Sequence, residues 1–183
     1  RSSDLESCNS TFIQLGQRLG ASSVIVMAKR LGFNSKVEIG LVEEETGNLP
    51  TGDDLLGPAI GNISIGQGDI EVTPLQVNQL TQIIANNGVK NQLHLLKDIL
   101  YHYNTIETFE VKESERILSQ KTANQLQQLM EAVMQEGTGR EAKKLIEVTA
   151  GKTGTAQSSM RGKAVQHAWF TGYYPLNQPQ YAI

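Results

Sequence analysis

Val148–Gln157 reads VTAGKTGTAQ, and Gln166–Pro175 further along reads QHAWFTGYYP. Thr149, Thr153 and Thr155, with Val148, favour an extended chain. Ala168, Trp169, Phe170, Thr171 and Tyr173 read as the antiparallel hairpin partner. Small residues crowd Lys152: Ala150 and Gly151 before it, Gly154 and Ala156 after it. A glycine inside a strand often marks a place where a ligand or another backbone comes close. A lysine, two hydroxyls and a bare backbone edge suit an anionic or carbonyl-bearing peptide. The plainer alternative is an edge strand with a solvated lysine.

Gly151-Lys152-Thr153 also resembles the end of a phosphate-binding loop. That loop needs a glycine five positions before Gly151, and Ile146 stands there. The nucleotide reading fails on spacing.

The 183 residues suffice for one domain with a sizeable core. Hydrophobic residues at 39% and charged residues at 19% are those of a soluble globular protein. A net charge of −3 and no Lys/Arg run give no support to a nucleic-acid partner. No apolar run approaches the ~20 residues of a membrane span. Arg1 is not a natural start, so the chain is expected to be a piece of something longer. Cys8 is the single cysteine and leaves the redox compartment undecided. Three histidines without ligand spacing argue against structural zinc, and no cofactor is expected.

Taken in order, Ser7–Leu19 reads as a helix with Phe12, Leu15 and Leu19 on its apolar face and Gly20 at its end. Ser7 and Asn9 are good helix caps, and with no further context that is their simplest role. Ser23–Leu31 is a second helix, closed by Gly32. Lys36–Leu41 is expected to be extended, and the following EEETGNLPTGDD to be a turn-rich loop. Gly61–Gly68, GNISIGQG, looks too irregular for helix or strand and either turns or holds backbone against a ligand. Thr73-Pro74 opens a helix with Val77, Leu80, Ile83 and Ile84 buried, closed by Asn87-Gly88. Leu93–Val111 suggests two short strands, or a strand and a loop, and His94 and His102 within it have no catalytic pattern. Ser119 caps a helix with Leu126, Leu129, Met130, Val133 and Met134 on one face. The chain reads as one domain, helical through the first two thirds, with sheet at the end.

Six stretches stand in one order: SCN at Ser7–Asn9, IGQGDIEVTPLQ at Ile65–Gln76, IANNG at Ile84–Gly88, EGTGREA at Glu136–Ala142, GKTGTAQ at Gly151–Gln157 and HAWFTGYYP at His167–Pro175. Together they resemble the transpeptidase domain of a high-molecular-mass, class B-like penicillin-binding protein. The resemblance implies an α+β fold of the penicillin-binding-protein and serine β-lactamase type. It is expected as a single partial domain over residues 1–183, mainly helical over 1–147 with the K-T-G-T strand and its followers over 148–183.

Ser7-Cys8-Asn9 matches the family's S-x-N motif, and Lys152-Thr153-Gly154-Thr155 matches K-T-G-T. The third motif, S-x-x-K, carries the acylated serine. No serine of this chain has a lysine three residues on; the nearest pattern, Ser158–Arg161, ends in arginine. The resemblance therefore implies a parent enzyme that cross-links D-Ala-D-Ala stem peptides through a serine acyl-enzyme and is inhibited by β-lactams. This chain alone is expected to be inactive. Ser7 would relay a proton while held by Lys152, and Asn9 would bond the acyl peptide's amide. The Thr155 N–H would supply half of an oxyanion hole. Thr153 and Thr155 hydroxyls would hold the substrate carboxylate, with Gly154 clearing room for a substrate lying alongside as an extra strand.

In a flat strand Lys152 and Gly154 face one way, Thr153 and Thr155 the other; one pocket can use all four only at a twisted or edge strand. The implied partners are stem peptide and β-lactams, with no nucleic acid and no membrane contact by this segment. Uncovered sheet edges are expected to promote self-association. The implied location is the extracytoplasmic side of the bacterial membrane, the parent being anchored by an N-terminal helix outside this chain. Two alternatives stay open: a β-lactamase or β-lactam sensor sharing K-T-G, and a non-catalytic interaction domain of the same fold.

Overall fold

Thr73-Pro74 begins the helix on which the rest is assembled. In the computed structural model, which describes residues 2–51, 55, 57–102, 104–108, 113–143, 149–160 and 162–183, Pro74–Ala85 is helical. Thr73 Oγ1 accepts from the backbone N–H of Gln76, and Gln76 Oε1 accepts in return from that of Thr73. This reciprocal box satisfies two donors that a helix start leaves orphaned. Gln76 does more: its Nε2 donates to Ser35 O at 2.9 Å and to Thr46 O at 2.8 Å, and the residue is 1% exposed. One buried side chain thus ties the helix to two distant loops. Gln76→Leu is expected to cost about 3 kcal/mol, because it strands buried backbone groups. Thr73→Ala, which loses only the cap, is expected to cost about 1 kcal/mol. Urea unfolding midpoints of the two variants compare these costs, and equal losses would deny Gln76 the larger role.

The elements run α1 (Ser2–Leu5), α2 (Asn9–Leu19), α3 (Ala21–Arg30), α4 (Ala59–Ser64) and α5 (Pro74–Ala85). Then come β1 (Val89–Lys90), β2 (Asp98–Tyr101), β3 (Asn104–Thr108), β4 (Glu115–Arg116), α6 (Gln120–Glu136) and α7 (Arg140–Lys143). The chain closes with β5 (Ala150–Met160), β6 (Lys163–Tyr174) and β7 (Tyr181–Ala182). The described strands form three antiparallel sheets, β1-β4, β2-β3 and β5-β6-β7. Ile84 of α5, Met130 of α6, Ala150 of β5 and Tyr173 of β6 form one buried cluster, so the two long helices pack on the last sheet. Thr81 of α5 meets Thr171 of β6 hydroxyl to hydroxyl at 2.5 Å.

The capping signals hold. Ser119 Oγ accepts from Thr122 N at the start of α6, and Asn87 and Gly88 take the left-handed conformation after α5. Of the two readings of 93–111 the strand pair forms, as β2 and β3, with 103 and 109–111 outside the described residues; His94 and His102 are exposed.

Four expectations fail. Gly61–Gly68 is helical at its start, since α4 runs through Gly61, which lies against α2: a Cβ there would come within 3.3 Å of Ile13. Leu15 and Leu19 are 46% and 56% exposed, and Gly16 is the buried position of α2, against Ser64 of α4. A helix pair that meets through small residues turns its leucines outward. Lys36–Leu41 is not extended throughout: Glu38 and Gly40 stand at φ 62° and 99°, and Glu44 carboxylate oxygens accept the Glu38 and Ile39 N–H groups at 2.8 and 2.7 Å. In α5 the buried side chains include Gln76, Gln79 and Thr81, while Val77 and Leu80 are only half-buried.

Candidate active site

Ser7 caps nothing. The residue before α2 is Cys8, with no side-chain cap bond, and Ser7 stands before it at φ 52°. Non-glycine residues are uncommon there and cluster at functional sites. The Ser7 Oγ instead accepts from Lys152 Nζ at 2.5 Å, across 145 positions of sequence. Lys152 Nζ also donates to its neighbour's carbonyl, Thr153 O, at 2.7 Å. Asn9 opens α2 and is exposed.

The turn after α6 brings Ser7 and Lys152 together. Thr138 N donates to Leu5 O at 3.1 Å, and Gly137 lies so close to Leu5 that a Cβ there would sit 2.6 Å from that oxygen. The same Thr138 places its hydroxyl 2.6 Å from that of Thr153. Glu136-Gly137-Thr138-Gly139 therefore clamps the segment carrying Ser7 onto β5. Nothing local in the sequence marked Thr138 as a partner of Thr153.

Lys152 is half-buried, and burial pulls its ammonium below the ordinary lysine range, partly offset by the charge of Asp4. The ladder pairs Lys152 with Thr171, Thr153 with Phe170, Gly154 with Trp169 and Thr155 with Ala168. Lys152 and Gly154 thus lie on one face and Thr153 and Thr155 on the other. The sheet order leaves β5 at the edge, so its outer backbone rim borders both faces. Gly154 and Thr155 are exposed on that rim. Val148, expected in this strand, lies outside the described residues; β5 begins at Ala150.

Gln67, from the glycine-punctuated loop, reaches the same rim: its Nε2 donates to Thr155 O at 3.0 Å and its Oε1 accepts from Gln157 N at 3.3 Å. Among the described residues no group of three His, Cys, Asp or Glu is placed to hold a metal.

The model of the penicillin binding protein transpeptidase domain matches residues 5–183. The chain belongs to this family. It is 31% identical over 190 residues to penicillin-binding protein PbpB of Mycolicibacterium smegmatis, covering 97% of this chain and 29% of that protein. Stage V sporulation protein D of Bacillus subtilis is likewise 31% identical, over 97% of this chain and 28% of its own length. The M. smegmatis protein named peptidoglycan D,D-transpeptidase PbpA matches at 31% over 97% of this chain and 36% of its own. The chain thus spans about a third of these relatives. Among solved structures, penicillin binding protein 3 of Mycobacterium tuberculosis complexed with aztreonam superposes with TM-score 0.85 at 28% identity, over 98% of this chain and 43% of that one. The penicillin G acyl-enzyme complex of M. tuberculosis penicillin-binding protein A gives 0.83 at 29%, over 98% and 40%. The mixed helix and sheet fold expected from the motifs is that of these transpeptidase domains.

Proposed function

We propose that these residues form part of a peptidoglycan D,D-transpeptidase, as a partial catalytic domain bearing the S-x-N and K-T-G-T groups. The Ser7 Oγ to Lys152 Nζ bond carries this reading. A bland cap and a solvated lysine have no reason to meet across the whole chain, whereas a proton relay requires it.

In the reaction, the serine of an S-x-x-K segment attacks the carbonyl carbon of the penultimate D-Ala of a stem peptide. The serine oxygen forms an ester as the amide C–N bond breaks. The proton that the attacking serine loses to the lysine of that segment is passed to the nitrogen of the leaving D-Ala through Ser7, whose oxygen Lys152 holds as an acceptor. An amine of a neighbouring stem then attacks the ester and releases the serine. Lys152 and the Thr153 and Thr155 hydroxyls receive the substrate carboxylate, Asn9 bonds the acyl peptide's amide, and the Thr155 N–H faces the developing oxyanion. β-Lactams enter the same site and acylate the same serine. The place of work is the outer side of the cytoplasmic membrane, the anchor lying outside these residues. Among the described residues, no helix is long and apolar enough to cross a membrane.

The 183 residues hold no Ser-x-x-Lys, so this chain incubated with a fluorescent penicillin is expected to show no covalent adduct by intact mass. The longer protein that supplies the motif is expected to label stoichiometrically. A full adduct on the 183-residue chain would mean that the nucleophile is misplaced.

A further inference from the structure

β5 is an edge strand, and its free rim is not bare. The backbone N–H and C=O of one strand residue point to the same edge, and the next residue's point to the other. Thr155 O and Gln157 N contact Gln67, so the odd-numbered residues 153, 155 and 157 present their peptide groups outward. Lys152 Nζ bonding Thr153 O agrees with that assignment. The Gln67 amide thus does to Thr155 and Gln157 what a neighbouring strand would do, donating to one carbonyl and accepting from the next outward N–H. Its orientation is set by its partners, one an acceptor and the other a donor. The loop holds it there: Gln67 N donates to Asn62 O at 2.9 Å, at the end of α4, and Gly66 and Gly68 flank it at φ 70° and 82°. Only glycine takes such backbone without strain.

We propose that Gln67 is a positioning residue that ends the peptide-accepting edge of β5, so that substrate pairs at Thr155 and is refused at Gln157. The inference rests on the transpeptidase reading above. With its carboxylate by Lys152 and Thr153, an extended substrate runs antiparallel to β5, and its acyl-donor residue pairs with Thr155. A carbonyl oxygen has two lone pairs, so Thr155 O serves Gln67 and a substrate N–H together. Gln157 N–H has one hydrogen, and Gln67 Oε1 takes it. In an antiparallel ladder the next outward pair, with Gln157, would recruit the residue two positions before the acyl donor. Gln67 occupies that place, so recognition is confined to the end of the stem.

The test uses the full-length protein and two thioester acyl donors that share a D-Ala acyl residue and a carboxylate-bearing leaving group. One is N-acetylated at that residue; the other carries two further α-linked residues. In the wild type, kcat/KM is expected to be the same for both within about twofold, since no new backbone bond forms. In Gln67→Ala the longer donor is expected to gain about tenfold over the shorter, the worth of a freed strand bond. Gln67→Glu keeps an acceptor for Gln157 N–H but loses the donor to Thr155 O, and is expected to bring the ratio back towards the wild type, which a merely structural role would not do. A wild-type enzyme that already favours the longer donor, or an unchanged ratio in Gln67→Ala, overturns the proposal. Should Gln67→Ala fail to fold, Gln67→Met, which fills the space without an oxygen acceptor for Gln157 N–H, is expected to show the same gain, and an unchanged ratio there overturns the proposal. Failure of the wild type to react with either donor or with penicillin would instead sink the transpeptidase reading.

Discussion

Lys152→Ala in the full-length protein is expected to lower the second-order rate of acylation by penicillin by about a hundredfold or more, with the fold intact. Its ammonium makes two contacts, to Ser7 Oγ and to Thr153 O, and it supplies the positive charge where a carboxylate would dock. Loss of a positioned proton-transfer partner costs about 10²–10⁴ in rate. Lys152→Arg keeps the charge, but its planar guanidinium replaces a compact ammonium and is not expected to rescue. Burial lowers the Lys152 pKa, so the ammonium is lost on the acid side of the ordinary lysine value. Acylation is then expected to fall as pH rises through that depressed pKa, and Lys152→Ala to lack this limb. Stability moves the opposite way. Between the folded pKa and the higher unfolded one, the unfolded chain binds the extra proton, so the cost of burying the ammonium is relieved as pH rises. Stopped-flow acylation across the alkaline range, with melting of both proteins, checks this. An unchanged rate in Lys152→Ala would remove Lys152 from the mechanism.

Gly172→Ala is expected to destabilise the intact protein by about 3 kcal/mol, near the upper end for a single substitution. Gly172 stands opposite Gly151 in the β5–β6 ladder and on its other edge pairs with Ile183 in both directions. A Cβ at Gly172 would lie 2.6 Å from Ala150 O and 3.2 Å from Gly151 Cα. Both obstacles are backbone, which cannot turn aside as a side chain does, so the strands must part where Lys152 begins its reach to Ser7. Overpacking of this kind costs about 1–3 kcal/mol before any loss of ladder bonds. Gly154→Ala is the control: its Cβ would meet only Trp169 Cβ, at an ordinary 3.4 Å. Its stability is expected to stay within about 0.5 kcal/mol of wild type. Equal unfolding midpoints for the two variants would show that the glycine pair is dispensable.

The sequence by itself determined the features that neighbours along the chain control. Thr73-Pro74 and Ser119 mark helix starts because a cap oxygen meets an N–H three residues on, a bond that closes locally. Asn87-Gly88 marks a helix end because few residues adopt left-handed backbone. The K-T-G-T strand and its hairpin partner were legible for a similar reason, since small and β-branched residues suit a closely paired ladder. The order of six short motifs was enough for the family. Only the tertiary structure decided which faces meet. α4 starts inside the glycine-punctuated stretch with Gly61 packed against Ile13 of α2, and Leu15 and Leu19 stay exposed because the helix contact runs through Gly16 and Ser64. Residues 36–41 make no strand: the backbone turns left-handed at Glu38 and Gly40, and Glu44 takes the Glu38 and Ile39 N–H groups. By local pattern alone Ser7 was a cap, and its meeting with Lys152 was implied only by the resemblance; the structure shows Thr138 holding its segment there, and Gln67, which looked like part of a turn, reaching the rim of β5. A hydrogen bond between residues far apart in sequence exists only once the intervening chain has packed, and no local pattern encodes which two ends will meet.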